Sequence, residues 1–123
     1  MSPVTIELKW PDARLKPNSR VHHMSLYTAK KEAKEAAAWA TRAAIGRNFF
    51  VHDGKTDIIL KQVAHPPDNR ARDRDNLDSS LKAARDGIAL GLGVNDKHFH
   101  PTGIEWGENK PGGLIVITVG GEA

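Results

Sequence analysis

Asp73-Arg74-Asp75-Asn76-Leu77-Asp78-Ser79-Ser80-Leu81-Lys82-Ala83-Ala84-Arg85-Asp86-Gly87-Ile88 is the stretch around which the rest of the chain can be ordered. At ~100° per residue, Leu77, Leu81, Ala84 and Ile88 share one apolar stripe, while Asp75, Ser79, Lys82 and Asp86 gather on the opposite face. The pattern predicts a helix over residues 76–90, with Gly91 and Gly93 marking its end. Immediately upstream, Pro66-Pro67 stops a strand over residues 57–64 that carries Ile58, Ile59, Leu60 and Val63. Toward the N-terminus, residues 28–45 are dominated by Ala, Lys and Glu and predict a helix capped by Gly46. Before it, residues 11–23 read as a loop. Val4, Ile6, Leu8 and Trp10 alternate with Thr5, Glu7 and Lys9, the period of a half-buried strand that Pro11 ends. Toward the C-terminus, residues 102–106 form a short strand, residues 107–113 a turn and Leu114–Val119 a continuous apolar strand. The order β-α-β-α-β-β with a final hairpin predicts one α+β domain over residues 1–123, a small mixed sheet with two helices.

Composition narrows the function classes. The chain has 123 residues, 39% hydrophobic and 27% charged, which suits a single folded domain. No apolar run approaches the roughly 20 residues needed to cross a bilayer. Met1-Ser2-Pro3-Val4-Thr5-Ile6-Glu7 has neither the basic flank nor the apolar stretch of a signal peptide. The absence of cysteine excludes disulfides and cysteine-based zinc sites. A cytoplasmic protein without a membrane partner is the expectation. The formal charge of +3 is modest, but its distribution is uneven. Lys9, Arg14, Lys16, Arg20, Lys30, Lys31 and Lys34 crowd the first third, and Arg70, Arg72 and Arg74 the middle. Such clusters suit a polyanion, because each neutralised phosphate releases counterions; the competing reading is a solvated surface.

The acids of the quoted stretch carry two readings. Mg²⁺ takes oxygen ligands, commonly one or two carboxylates plus waters and substrate phosphate. Asp73 and Asp75 can aim two carboxylates at one ion if that stretch is extended, and Asp96 joins them if the chain after Gly93 returns along the helix. The alternative is structural: Asp75, with Asp78 three positions on, fits a helix N-cap, and acids favour the positive end of a helix. A calcium loop is disfavoured, since the run lacks the glycine and the glutamate at the required positions.

Pro67-Asp68-Asn69-Arg70-Ala71-Arg72-Asp73-Arg74-Asp75-Asn76-Leu77 resembles the signature of RusA-type Holliday junction resolvases (crossover junction endodeoxyribonucleases). Gly91-Leu92-Gly93-Val94-Asn95-Asp96 is similar to the turn after the family's helix. Trp10-Pro11 and Pro17-Asn18-Ser19-Arg20-Val21-His22 resemble the opening of phage and prophage members. The resemblance implies a homodimer that binds four-way DNA junctions and nicks two strands symmetrically with Mg²⁺, leaving 5′-phosphate and 3′-hydroxyl ends. It implies Asp73, Asp75 and Asp96 as catalytic, metal-holding acids, the metal activating a water for in-line attack. One position departs from the pattern: the family's lysine, four residues after the second aspartate, is here Ser79. Lys82 lies on nearly the same face as Asp75, two turns on, and can lean back toward it. It can equally serve as a solvated partner for Asp78, and Arg74 is the next candidate cation. Arg14, Lys16, Arg20, His22, His23, Arg70, Arg72 and Arg74 are the expected DNA contacts. The competing class is a basic module that binds branched or duplex DNA without cutting it.

Two decoys are set aside. Pro67-Asp68 with Glu108-Asn109-Lys110 spells another nuclease signature, but that pattern needs a strand where Pro111-Gly112-Gly113 predicts a turn. His98 and His100, or His22 and His23, lack a clear third zinc ligand. Trp10, Trp39 and Trp106 are expected in the core rather than as stacking platforms.

Overall fold

The computed structural model describes residues 3–17, 19–48 and 50–120. Met1, Ser2 and Asn18, which enter the readings above, lie outside them. The elements are β1 (Val4–Leu8), α1 (His23–Ile45), β2 (Ile58–His65), α2 (Arg74–Ser80), α3 (Lys82–Leu92), β3 (Phe99–Pro101), β4 (Glu105–Trp106) and β5 (Leu114–Val119). Short 3-10 turns occupy Ala13–Leu15 and Asp96–His98. This is an α+β domain with a mixed five-stranded sheet.

The sheet runs β1-β5-β2, all antiparallel, with β3 and β4 both added in parallel to the far edge of β2. The expected terminal hairpin is therefore not formed. Residues 107–113 instead carry the chain around the end of β2, where Gly107 N–H donates to Ala64 O (2.8 Å) and Lys110 N–H to Pro66 O (2.9 Å). The cause is burial: no residue of β5 is fully exposed, so it takes the centre, where β1 and β2 cover both its edges. The two residues of β4 could not do that. In-facing Ile6, Leu60, Ile115, Ile117 and Val119 pack with Leu77, Leu81 and Ile88. Each such side chain contributes roughly 1.5–3 kcal/mol by leaving water.

α1 begins at His23, earlier than the Ala-rich run suggests, because His22 Nδ1 accepts the Met24 N–H (3.2 Å) and caps it. Its buried face is made of Ala29, Ala37, Ala38 and Thr41. These small residues let α3 come close through Gly87 and Gly91. A Cβ at Gly87 would stand 2.1 Å from Lys34 O, and one at Gly91 would stand 2.7 Å from Thr41 Cβ. Two glycines on one face thus hold the two helices together.

The single helix expected over residues 76–90 is two, meeting at Leu81 (φ −91°, ψ −2°). Two contacts explain the break. Ser80 Oγ donates back to Asn76 O (2.8 Å), and Arg85 Nη1 donates to Asp78 O (3.3 Å), the carbonyl the next helical turn would have used. Gly91 lies inside α3; the helix closes at Gly93, in the left-handed conformation (φ 75°). Trp10 packs against the core, but Trp39 is 69% exposed and Trp106 is also exposed, so two of the three tryptophans are not core residues. Each lies under an arginine instead, Arg42 at 5.6 Å from the Trp39 ring and Arg74 at 6.0 Å from that of Trp106. Among the described residues no helix is long and apolar enough to cross a membrane.

Candidate functional site

Asp73, not Asp75, caps the acidic helix. Its extended backbone (φ −84°, ψ 123°) sets Oδ1 over the open end of α2, where it accepts the Asn76 N–H (3.0 Å). Asp75 lies exposed in the first turn beside it. The approach to this helix is braced from within. Asp68 Oδ1 accepts from Arg70 N–H (2.9 Å) and Arg72 Nη2 (2.8 Å), and Arg72 Nη1 donates to the carbonyls of Asp68 (3.0 Å) and Arg70 (2.9 Å). The Arg72 guanidinium also sits 5.3 Å from the Trp10 ring, leaving its side chain 18% exposed. The Asp68 carboxyl is held below the ordinary carboxylate range, by the Arg70 backbone N–H first and the Arg72 guanidinium next. Arg70, by contrast, is 79% exposed.

Lys82 does not lean back toward Asp75, nor does it pair with Asp78. Its Nζ donates to Asp86 Oδ1 (2.6 Å) and lies 3.6 Å from Asp96 Oδ2. The chain after Gly93 therefore does fold back alongside α3. Asp86 is the main reason the Lys82 ammonium is stabilised above its ordinary range. The Asp96 carboxyl is held below the usual range, by the neighbouring Asp86 carboxyl first and by the Lys82 ammonium next. Asp78 is taken by a buried polar node: Gln62 Nε2 donates to its Oδ1 (3.0 Å), and Arg85 Nη1 donates to Gln62 Oε1 (2.9 Å) and to Asp78 Oδ1 (3.3 Å). Asp96 thus joins Lys82 and Asp86, while Asp73 and Asp75 stand at the start of α2. Among the described residues, no group of three or more His, Asp or Glu is arranged to hold a metal ion.

The basic residues divide likewise. Arg14 is fastened to Asp12 (Nη2 to Oδ2, 2.9 Å) and to Ser25 Oγ (3.2 Å), tying the first 3-10 turn to α1. His22 is the α1 cap, and His23 is exposed with its ring 4.3 Å from that of His22. Lys16 and Arg20 are exposed. Two clefts meet at Lys16 and Ser80. One, of about 520 Å³, is lined by Asp73, Asn76, Arg70 and Arg72. The other, of about 1010 Å³, runs between α1 and the α2–α3 kink and is lined by Tyr27, Lys30, Lys31, Lys34, Ser79 and Lys82. In the sequence those α1 lysines stand only within the basic first third, with no site assigned to them. Their spacing was the available signal, since residues 27, 30, 31 and 34 fall on one helical stripe. Both decoys gain no support: Glu108-Asn109-Lys110 is outside any strand, the His98 ring lies tilted 4.7 Å from that of His52, and His100 Nε2 lies 3.0 Å from Asp57 Oδ1.

No family model matches the chain. It is 33% identical over 118 residues to an uncharacterized protein of Xylella fastidiosa (strain Temecula1 / ATCC 700964), an alignment that spans 95% of this chain and 76% of that protein.

Proposed function

The chain belongs to one family with the Xylella fastidiosa protein, and we propose that it is a Mg²⁺-dependent, structure-selective endodeoxyribonuclease of the RusA type, acting on four-way DNA junctions as a homodimer. The observation that carries this reading is the place of the acidic helix start. Asp73 lines an open cleft with Arg70 and Arg72, and that cleft continues through Lys16 into a second, lysine-lined one. Anionic DNA and a metal-binding carboxylate need to meet on such a surface. The donor set fits Mg²⁺ in part: Asp73 and Asp75 are exposed carboxylates at one helix start, and the cap bond uses one lone pair of Asp73. When bound, the ion supplies a polarised phosphodiester and an activated water. Around it, Arg70 and Lys16 would neutralise backbone phosphates, while Asp96 is engaged by Lys82, which also pairs with Asp86.

The second reading, a basic module that binds branched DNA without cutting it, is favoured by the present engagement of Asp96 with Lys82 and of Asp73 with Asn76. One experiment separates the two: a synthetic four-way junction incubated with wild type and Asp75→Asn, with Mg²⁺ or with EDTA. The nuclease reading expects paired nicking that needs Mg²⁺ and falls at least ~100-fold in Asp75→Asn, the scale of losing one charge-stabilising group at a reaction centre. It also expects junction binding to persist in that variant. Undiminished nicking by Asp75→Asn would remove the site, and binding without nicking under any condition would establish the second reading.

A further inference from the structure

We propose that the cleft between α1 and the α2–α3 kink is a track for a single DNA strand, in which Lys30, Lys31 and Lys34 take successive phosphates and Tyr27 stacks a base. Four observations carry it. Tyr27, Lys30, Lys31 and Lys34 lie at i, i+3, i+4 and i+7 of α1, hence on one stripe, and all four line the same cleft. Tyr27 is 62% exposed, a large aromatic face held in water at the end of a row of cations. None of the ion pairs among the described residues engages Lys16, Lys30, Lys31 or Lys34. The cleft wall carries six basic against three acidic side chains, and two of the acids are already answered, Asp78 by Arg85 and Asp86 by Lys82, so that Glu35 is the remaining one.

Those features suit an unpaired strand better than a closed duplex. Stacking on an aromatic ring needs a base whose face is free, and single-strand binders combine such platforms with a cationic groove that follows the backbone. At about 1010 Å³ the cleft accommodates a few nucleotides. The shared border at Lys16 leads a strand seated here toward Asp73. The track itself stands on charge and geometry; only its delivery of the strand to the acids rests on the nuclease reading.

The test is fluorescence anisotropy with a labelled 20-nucleotide thymidine strand in EDTA, titrated at several salt concentrations. Lys30→Gln/Lys34→Gln should weaken binding roughly tenfold at 0.1 M salt and flatten the log–log salt slope by about 1.4, the share of two phosphate contacts. Tyr27→Ala should cost about fivefold or more, and Glu35→Gln should tighten binding about twofold. The control Lys55→Gln/Lys110→Gln, both exposed and outside the cleft, should leave the slope unchanged. An equal loss in the control, an unchanged slope in Lys30→Gln/Lys34→Gln, or poly-glutamate binding as tight as the DNA strand would overturn the track. Because these readings are taken without Mg²⁺, they stand or fall separately from the junction-nicking assay: loss of nicking removes the nuclease and leaves the track, and the reverse holds too.

Discussion

The arginine-rich approach to α2 and the lysine stripe of α1 look alike as sequence and differ as structure. Arg72 is spent on Asp68, two carbonyls and the Trp10 ring, and Arg14 on Asp12 and Ser25. Lys30, Lys31 and Lys34 project into an open cleft with no ion pair among the described residues. The difference follows from chemistry. A guanidinium is a planar fork that can satisfy several acceptors at once, so arginine suits bracing a turn. An ammonium on a flexible stem stays hydrated and remains available to a ligand. Clusters of positive charge are therefore poor guides to a binding surface until their internal partners are known.

The largest effect should come from breaking what positions the lysine stripe. Gly87→Ala would push a methyl onto Lys34 O and Ala37 Cβ, and overpacking of this kind costs about 1–3 kcal/mol. Helix propensity alone would give the opposite sign, roughly 1 kcal/mol in favour of alanine. Urea unfolding decides between them, and a stabilised Gly87→Ala would show that α1 and α3 are not in close contact.

Next is a direct contrast of the two regions. Arg72→Ala should destabilise the fold by about 1–2 kcal/mol, losing its packing on Trp10 and its hydrogen bonds at a largely buried position. Lys30→Gln, at an exposed position, should change stability by less than about 0.5 kcal/mol. Equal unfolding midpoints for these two variants would erase the distinction between brace and free cation.

The smallest effect concerns acid. Asp68 is depressed in the folded state, so what it contributes is present above its unfolded value near ~3.9 and is lost as pH falls through the lower folded value. A carboxyl carbon-13 titration should place its midpoint below ~3.9. Arg72→Ala should move the midpoint part of the way back, since the Arg70 N–H is the larger cause. A midpoint at the ordinary value would mean that the brace is not formed in solution.

Much of this was legible in the chain itself. Alternation marked β1, the apolar run marked β5, and alanine content marked α1, because side-chain period encodes which face is buried before any partner is known. The apolar stripe Leu77, Leu81, Ala84 and Ile88 is buried as the wheel predicts, despite the kink. The partner of Lys82 is not read correctly from the sequence: Asp75 and Asp78 are expected, and Asp86 takes it. Asp73 and Asp75 at an exposed helix start also follow from local signals, whereas the return that brings Asp96 beside α3 is only a condition in the sequence and is seen in its contact with Lys82.

What only the tertiary structure decided is who meets whom. The place of β5 between β1 and β2 depends on long-range burial, and the kink at Leu81 on an arginine reaching a carbonyl from the following helix. The cap passed from Asp75 to Asp73 because the helix begins at Arg74. Arg72 and Arg14 were engaged, and the α1 lysines left open, by contacts that no spacing rule encodes. Local periodicity fixes faces, whereas partners are chosen by the whole fold as it excludes water and satisfies its buried polar groups.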